Sequence, residues 1–166
     1  MIMYKGRRFS VVKSMKALPN GLKMGVESVV VVGGITILPV NGDKIVLIRQ
    51  YRPVIGKWIY ELPAGGMNKR ESHAECARRE LKEETGFTAK RMEYLFTSLP
   101  TPGMSTERMH VFMASGLRRG RQELDKDEVI KVHEFTLKQV LGMIRAGRIR
   151  DGKTIEAILY YARFED

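Results

Sequence analysis

Three glutamates crowd one helical turn in the middle of the chain: Glu80, Glu83 and Glu84. Like charges three or four residues apart on a helix repel, at a cost of roughly 0.2–0.5 kcal/mol per pair. A bound divalent cation would offset this repulsion, because hard ions such as Mg²⁺ take carboxylate oxygens and hold substrate phosphates in their remaining positions. The segment therefore predicts a metal-dependent site for phosphate chemistry.

Spacing on the helix decides what the three carboxylates can do together. Glu80 and Glu84 lie one turn apart on the same face, so their carboxylates can converge on one cation, while Glu83 can hold a second. Two cations about 4 Å apart can clamp the attacking and leaving oxygens of a phosphoryl displacement. Residue types alone do not separate a metal ligand from a base, and a solvated acidic face is the alternative without chemistry.

The helix that carries the glutamates has clear start and stop signals. Ser72, with a glutamate three residues later, predicts a capping box at its start, and Gly86 predicts its end. Ala74, Ala77 and Leu81 form an apolar stripe, which puts the three acidic residues on or beside the opposite flank.

Strands and helices around this segment predict one α+β domain over residues 1–166. Strands are predicted at residues 7–17, 21–32, 29–40, 44–51, 91–98, 109–114 and 129–135, and helices at 137–146 and 153–163. Four residues of the last helix are predicted to face inward: Ile155, Ile158, Leu159 and Ala162. This order predicts an α/β/α sandwich around a mixed sheet, with an additional antiparallel strand region near residues 1–35.

Composition limits the class of protein. The chain has 166 residues, is 43% hydrophobic, and contains no apolar run long enough to span a membrane and no signal-peptide pattern at its start. Its one cysteine, Cys76, excludes an intrachain disulfide and is predicted to serve in packing. A cytoplasmic location is the expectation.

The charge is strongly basic and uneven. The net charge is +10, and residues 1–60 hold ten cations against Glu27 and Asp43. Attraction to a polyanion is one interpretation, and a solvated basic face or adaptation to heat is the other. Nucleic acid is disfavoured as a partner, because no cluster of Arg and Lys interleaved with aromatics is recognised in the sequence.

A longer pattern contains the three glutamates. Gly65, then Glu71, then the run RELKEETGF at residues 79–87 resemble the Nudix box, G-x5-E-x7-R-E-U-x-E-E-x-G-U with U apolar. Every fixed position is filled, and Phe87 departs from the usual aliphatic only in size. The resemblance spans 23 of 166 residues and implies the Nudix fold.

The resemblance also implies roles for individual residues. Glu80 and Glu84 would ligate Mg²⁺ or Mn²⁺, one to three ions in all, with the carbonyl of Ala64 as a further ligand. Glu83 would assist as a ligand or as the base. Arg79, four residues before Glu83, is expected to act in catalysis by orienting the carboxylates, while Glu71 caps amides or pairs with Arg79.

Two further segments are similar to the ADP-ribose pyrophosphatase branch of the family. One is ELPAG at residues 61–65, and the other is the run at residues 101–107, where Pro102 stands 16 residues after Gly86. They imply hydrolysis of ADP-ribose to AMP and ribose 5-phosphate. The substrate contacts expected in these segments are Glu61, Gly65, Gly103 and Glu107.

Cations and aromatics for the rest of the substrate stand just before the box. Arg49 and Arg52 alternate near a strand end, and an arginine can fork onto phosphate oxygens. Arg52 is the better candidate by resemblance, and a surface ion pair is its alternative. Tyr51, Trp58 and Tyr60 could stack on adenine, although aromatics near strand ends more often pack in a core.

A second acidic run, residues 123–129, precedes a predicted strand. Related pyrophosphatases draw a catalytic or metal-linked glutamate from this loop, and Glu128 matches it best. Lys126 stands where some members carry an acid, so the base is left open between Glu83 and Glu128. A solvated loop is the alternative.

Partners follow from the same resemblance. The basic N-terminal strands fit a homodimer whose sites borrow residues from the partner subunit. Two rival functions stay open. One is a Nudix hydrolase of a nucleotide sugar, a dinucleoside polyphosphate or an oxidised nucleoside triphosphate, and the other is a Nudix protein acting on nucleic acid or capped RNA.

Overall fold

The computed structural model describes residues 1–126 and 128–164. Its strands are β1 (Ile2–Lys5), β2 (Phe9–Ala17), β3 (Lys23–Val31), β4 (Gly34–Asn41), β5 (Lys44–Arg52), β6 (Lys57–Glu61), β7 (Ala64–Gly66), β8 (Phe87–Ser98), β9 (Met109–Arg119) and β10 (Ile130–Thr136). Its helices are α1 (His73–Thr85), α2 (Leu137–Arg145) and α3 (Gly152–Phe164). None of these helices is long and apolar enough to cross a membrane.

Two sheets organise the strands. The first is antiparallel with the order β1-β2-β3, and the second has the order β10-β5-β4-β9-β8, with β6 added to β5 and β7 added to β4. Strands β4 and β9 run parallel while the other pairs of the second sheet are antiparallel, so this sheet is mixed as predicted. The additional N-terminal antiparallel region is confirmed as well.

Apolar side chains cover both faces of the mixed sheet. On one face α1 packs Cys76, Ala77 and Leu81 against the sheet. On the other face α2 and α3 pack a second core, which includes Val140 and Ile158. The predicted α/β/α sandwich is therefore confirmed, and whether residues 1–166 form a single domain stays a prediction.

Helix starts were predicted well, but one helix face was not. Ser72 begins α1 and Thr136 begins α2, each with a complete capping box. In α3, Leu159 is 48% exposed and Ala162 is exposed, so the predicted inward stripe is wrong at these two positions. Thr154 is fully buried instead, because its hydroxyl donates to Asp151 and accepts the backbone N–H of Leu62.

The predicted strand over residues 29–40 is divided in two by Gly33. A Cβ on this residue would lie 2.1 Å from the carbonyl oxygen of Arg108, so the chain passes closer to Arg108 than any other residue type allows. The division lets β3 join the N-terminal sheet while β4 joins the mixed sheet.

The N-terminal sheet is tied to the rest of the protein by the segment around residues 104–106. The N–H of Val29 donates to Met104 O at 2.9 Å, and the N–H of Thr106 donates to Val29 O at 3.0 Å. These bonds place the loop between β1 and β2, with its arginines, beside the end of the mixed sheet.

Candidate active site

Helix α1 turns its two key glutamates inward, beneath β7. Glu80 is 8% exposed and Glu84 is 2% exposed. The sequence placed these carboxylates on or beside the flank opposite the apolar stripe, and on this point it was wrong. They flank Leu81 on the packed side of the helix, so their charges lie where water screens them poorly.

Arg79 holds the acidic cluster together. Its Nε and Nη2 donate to the two carboxylate oxygens of Glu71 at 2.8 and 2.9 Å. Its Nη1 donates to Glu80 at 2.7 Å and to Glu83 at 2.9 Å. Both predicted contacts of Glu71 are present, since it also accepts the N–H of Asn68 at 2.9 Å. The hydrogen bonds from Arg79 lower the pKa of Glu71 to about 2.

The negative charge of Glu84 is less well neutralised than the charges of Glu71, Glu80 and Glu83, which accept hydrogen bonds from Arg79. One carboxylate oxygen accepts the backbone N–H of Ala64 at 2.9 Å. Burial raises the pKa of Glu84 to about 8, and the nearby charges of Glu80 and Glu128 add to the rise. Burial also raises the pKa of Glu80, against the pull of Arg79. The pair is therefore short of positive charge.

A cavity of about 500 Å³ brings the predicted acidic residues to one place. Its carboxylate lining consists of Glu80, Glu83, Glu84, Glu123, Asp125 and Glu128. Glu128 thus lies across the cavity from α1, as the loop prediction requires, and its carboxylate accepts the N–H of Asp125 at 3.3 Å. Asp127, in the same predicted run, lies outside the described residues.

The donor set of this cavity fits a hard divalent cation. It offers carboxylate oxygens, and Ala64 lines the same cavity. Within residues 1–126 and 128–164, no three His, Cys, Asp or Glu side chains already converge on one point. Glu80 and Glu83 each accept from Arg79 through one carboxylate oxygen, so each has a second oxygen to offer a cation.

Gly65 allows Glu80 to pack against the loop. A Cβ on Gly65 would lie 1.9 Å from the carboxyl carbon of Glu80. Neither Gly65 nor Gly66 has a positive φ, so the backbone conformation itself does not require glycine at these positions. Close approach of the carboxylate, rather than φ, is the reason for glycine at position 65.

Arg52 is fixed at the edge of the cavity by a buried ion-pair network. Its Nε and Nη2 donate to the two carboxylate oxygens of Glu61 at 2.8 and 2.6 Å. Glu61 is 1% exposed, so this is not the surface pair considered from the sequence. Lys153 also donates to Glu61, at 2.9 Å, and to Asp151 at 2.7 Å. Burial alone would raise the pKa of Glu61, but Arg52 and Lys153 hold it below the ordinary value.

A second cavity, of about 540 Å³, opens next to the first. Arg8, Arg52, Glu107 and Lys153 are among its lining residues, and it shares Arg8, Arg52 and residues 64–66 with the acidic cavity. Arg8 and Lys153 were not among the sequence candidates. The sequence did contain a signal near Lys153. Asp151 accepts the backbone N–H of Thr154, three residues later, and so marks the start of α3, where Lys153 lies in the first turn.

Three predicted substrate contacts do not line either cavity. One of them is Glu61, which is 1% exposed and bound to Arg52 and Lys153. Side chains alternate along a strand, so Arg49 points away from the face that carries Gln50 and Arg52. Its guanidinium lies 5.6 Å from the ring of Trp58, and it does not line either cavity described above. Gly103 lies in an exposed turn outside both cavities.

Replacing Arg79 by lysine is expected to reduce turnover about 100-fold and to lower thermal stability. A lysine keeps the charge but cannot form the fork on Glu71 while reaching Glu80 and Glu83, so the carboxylates lose their common orientation. Steady-state kinetics and thermal unfolding check this, with Arg78→Lys, the exposed neighbour on α1, as control. Equal activity of Arg79→Lys and wild type would contradict the orienting role.

Comparison with known proteins agrees with this geometry. A family model described as NUDIX domain matches residues 29–158. The chain is 38% identical over 146 residues to the ADP-ribose pyrophosphatase of Bacillus subtilis (strain 168), covering 86% of this chain and 79% of that protein. It is 36% identical over 161 residues to the methanol dehydrogenase activator of Bacillus methanolicus, covering 95% of this chain and 87% of that protein.

A solved structure supports the fold. The crystal structure of an ADP compounds hydrolase superposes with a TM-score of 0.86 and 22% sequence identity, covering 99% of this chain and 90% of that one.

Proposed function

The chain belongs to the Nudix family, and we propose that it hydrolyses the pyrophosphate of ADP-ribose to AMP and ribose 5-phosphate. The observation that carries this proposal is that carboxylates and cations border two adjoining cavities. The acidic cluster of α1 walls the first cavity, Lys153 lines the second, and Arg8 and Arg52 line both. A substrate with a pyrophosphate between two sugars needs carboxylates to hold a cation and cations to meet its phosphates, side by side. The similarity to an ADP-ribose pyrophosphatase supports the choice of substrate.

Nudix hydrolases generally need a divalent metal. We propose Mg²⁺ or Mn²⁺ here, one to three ions, held by Glu80, Glu84, Glu83 and the carbonyl of Ala64. When bound, such a cation would neutralise charge on the pyrophosphate oxygens and lower the pKa of an attacking water. The incomplete compensation of Glu84 supports this assignment, since added positive charge would relieve it.

The protein's own residues would orient the substrate and take up the proton. Arg52, held by its two hydrogen bonds to Glu61, would present its remaining N–H groups to a phosphate oxygen, and Arg8 would meet the other end of the substrate. Glu107 lines the same cavity and offers an acceptor for a ribose hydroxyl. The attacking water would lose its proton to Glu83 or to Glu128, which border the acidic cavity from opposite sides.

The decisive experiment is a substrate panel measured with Mg²⁺, with Mn²⁺ and with EDTA. It compares ADP-ribose with nucleotide sugars, dinucleoside polyphosphates and an oxidised nucleoside triphosphate. We expect ADP-ribose to give the highest kcat/KM and EDTA to abolish turnover. A nucleotide sugar ranking well above ADP-ribose would overturn the substrate while leaving the reaction type intact. Comparing the pH profiles of kcat for Glu83→Gln and Glu128→Gln at saturating Mg²⁺ then identifies the base, since losing the base removes the acidic limb of the profile, whereas losing a metal ligand raises the Mg²⁺ concentration that is needed.

We propose that the chain forms a homodimer through its N-terminal sheet. That sheet and the residues beside it expose many apolar side chains: Met1, Ile2, Met3, Tyr4, Phe9, Met15, Leu22, Met24, Val30 and Val32. Apolar area of this kind is commonly buried between subunits. Light scattering gives the mass in solution, and a monomer would overturn the proposal. A cytoplasmic location stays a prediction.

The similarity to a methanol dehydrogenase activator favours a second candidate function. This chain would then raise the activity of a dehydrogenase. Adding wild type and Glu84→Gln separately to a methanol dehydrogenase tests it. Stimulation by both proteins would point to activation by contact, stimulation by wild type alone would point to activation through hydrolysis, and stimulation by neither would exclude this candidate.

A further inference from the structure

On the side of the mixed sheet away from α1, the strand register gathers aromatic and cationic side chains. Arg49 of β5 pairs with Lys131 of β10 on one side and with Tyr60 of β6 on the other. The next position on the same face pairs Tyr51 with Trp58. We call Arg49, Tyr51, Trp58 and Lys131 the Trp58 patch.

The members of the Trp58 patch are in contact and open to solvent. The guanidinium carbon of Arg49 and the Nζ of Lys131 each lie 5.6 Å from the centre of the indole ring. Tyr51 meets the indole edge-on at 5.9 Å. Trp58 is 36% exposed and Tyr51 is 39% exposed. Cations this close to the ring hold the indole in place and keep positive charge beside it.

A groove of about 610 Å³ continues from the Trp58 patch toward the start of α3. Its lining includes Trp58. It also includes three cations that are not part of the patch: Lys57, Arg148 and Arg150. The acidic residue that lines it, Asp151, already accepts a hydrogen bond from Lys153 at 2.7 Å. The groove shares Trp58 with the patch and extends around strand β6, since Lys57 alternates with Trp58 along that strand. Patch and groove therefore adjoin, and both carry excess positive charge.

We propose that this surface binds single-stranded nucleic acid. Unpaired bases would stack on the exposed rings of Trp58 and Tyr51, and phosphates would follow the cations of the groove. A second copy of the chain would be repelled, because it would bring the same positive charge to the surface. An acidic peptide would pair with the cations, but its carboxylates would not stack on the planar rings. The net charge of +10 would draw a polyanion toward it.

No cluster of cations interleaved with aromatics is visible in the sequence, but the fold assembles one. Arg49, Trp58 and Lys131 come from three segments of the sequence, and only the pairing of β5 with β6 and β10 brings them together. The Trp58 patch lies on the opposite face of β5 from the acidic cavity, because Arg49 and Tyr51 alternate with Gln50 and Arg52, which border that cavity. The groove meets the second cavity at Asp151 and Gly152.

Fluorescence anisotropy with labelled oligoadenylate of about ten nucleotides, as RNA and as DNA, tests the proposal. EDTA in the buffer prevents metal-dependent hydrolysis, and salt is varied from about 50 to about 200 mM. We expect Trp58→Ala to weaken binding about fivefold or more, the effect of losing one stacked base, and Trp58→Phe to retain most of it. We expect Lys131→Gln to lower the salt slope by about 0.7. Arg118→Gln, which removes a charge from β9, should leave binding nearly unchanged.

Several outcomes would overturn the proposal. One is no binding by wild type at the lowest salt. Another is an equal effect of Arg118→Gln and Lys131→Gln, which would mean that net charge alone attracts the strand. Equal affinity for a duplex of the same length would rule out stacking. Displacement of the oligonucleotide by ADP-ribose would make the patch part of the hydrolytic site.

Thermal unfolding of each variant separates lost binding from lost folding. If Trp58→Ala does not fold, Trp58→Phe and Lys131→Gln still test the proposal.

Discussion

Glu84→Gln is expected to reduce Mg²⁺-dependent turnover by on the order of 10³-fold while making the metal-free protein more stable. Losing a carboxylate ligand removes several kcal/mol of charge stabilisation at the pyrophosphate, and about 1.4 kcal/mol corresponds to a factor of ten in rate. The gain in stability has a separate cause. Glu84 is 2% exposed, and an ionised carboxylate is costly there, whereas a glutamine of the same shape is neutral.

The stability difference should depend on pH in a defined direction. Burial raises the pKa of Glu84 from an ordinary 4.5 to about 8. Between these values the folded protein holds a proton that the unfolded chain has released, so the free energy of unfolding of wild type falls as the pH rises through this range. Each pKa unit is worth about 1.4 kcal/mol. Glu84→Gln has no carboxyl group at this position to titrate. Its free energy of unfolding should therefore exceed that of wild type only slightly near pH 4.5 and by a few kcal/mol above pH 8.

Thermal unfolding in EDTA across this pH range measures the stability effect. Adding Mg²⁺ should then raise the Tm of wild type but not that of Glu84→Gln, because binding to the folded state alone is stabilising. Glu93→Gln, a change at an exposed position on β8, serves as the control. Full turnover by Glu84→Gln would show that this carboxylate does not hold the metal.

Gly65→Ala should also lower activity strongly, by about 100-fold, through Glu80. The added methyl would lie 1.9 Å from the carboxyl carbon of Glu80, well inside any tolerated contact. Glu80 is buried and held by Arg79, so it has to shift or push β7 outward. A displacement of about 1 Å at a catalytic group commonly costs a factor of about 100 in rate.

Gly66→Ala is a matched control for this prediction. Gly66 is the next residue of the same strand, a Cβ there meets nothing within 4 Å, and its φ is not positive. It should keep near wild-type kcat at saturating substrate and near wild-type Mg²⁺ dependence, while Gly65→Ala loses both. Its effect on KM is not part of the comparison, because Gly66 lines both cavities. If the two variants behave alike, the close approach of Gly65 to Glu80 does not matter for function.

Local signals in the sequence were the most reliable ones. The capping box at Ser72 and the glycine at position 86 predicted the bounds of α1 correctly, because such signals depend on residues a few positions apart. The pairing of Arg79 with Glu71 and Glu83 follows from the same short spacing. Burial was harder to predict. Glu84 and Thr154 are polar, so a search for apolar stripes does not predict that they face inward. Each is buried because it has a hydrogen-bond partner that cannot be read from a stripe of apolar residues.

Contacts between distant segments explain the rest. Arg8 reaches the substrate cavity because residues 104–106 hold the N-terminal sheet beside it. Lys153 meets Glu61 across 92 positions of the chain. Arg49 and Arg52 look equivalent in the sequence, yet strand alternation sends one to the Trp58 patch and the other to the acidic cavity. Such assignments require the register of the sheet.

The packing of α1 on the sheet makes Cys76 a probe for the separation of this helix from the sheet. Cys76 is fully buried, and burial raises the pKa of its thiol to about 12. A thiol-alkylating reagent reacts with the thiolate, so it can modify Cys76 only when α1 separates from the sheet. Since the chain has no other cysteine, the alkylation rate follows the opening of the helix that carries Glu80, Glu83 and Glu84.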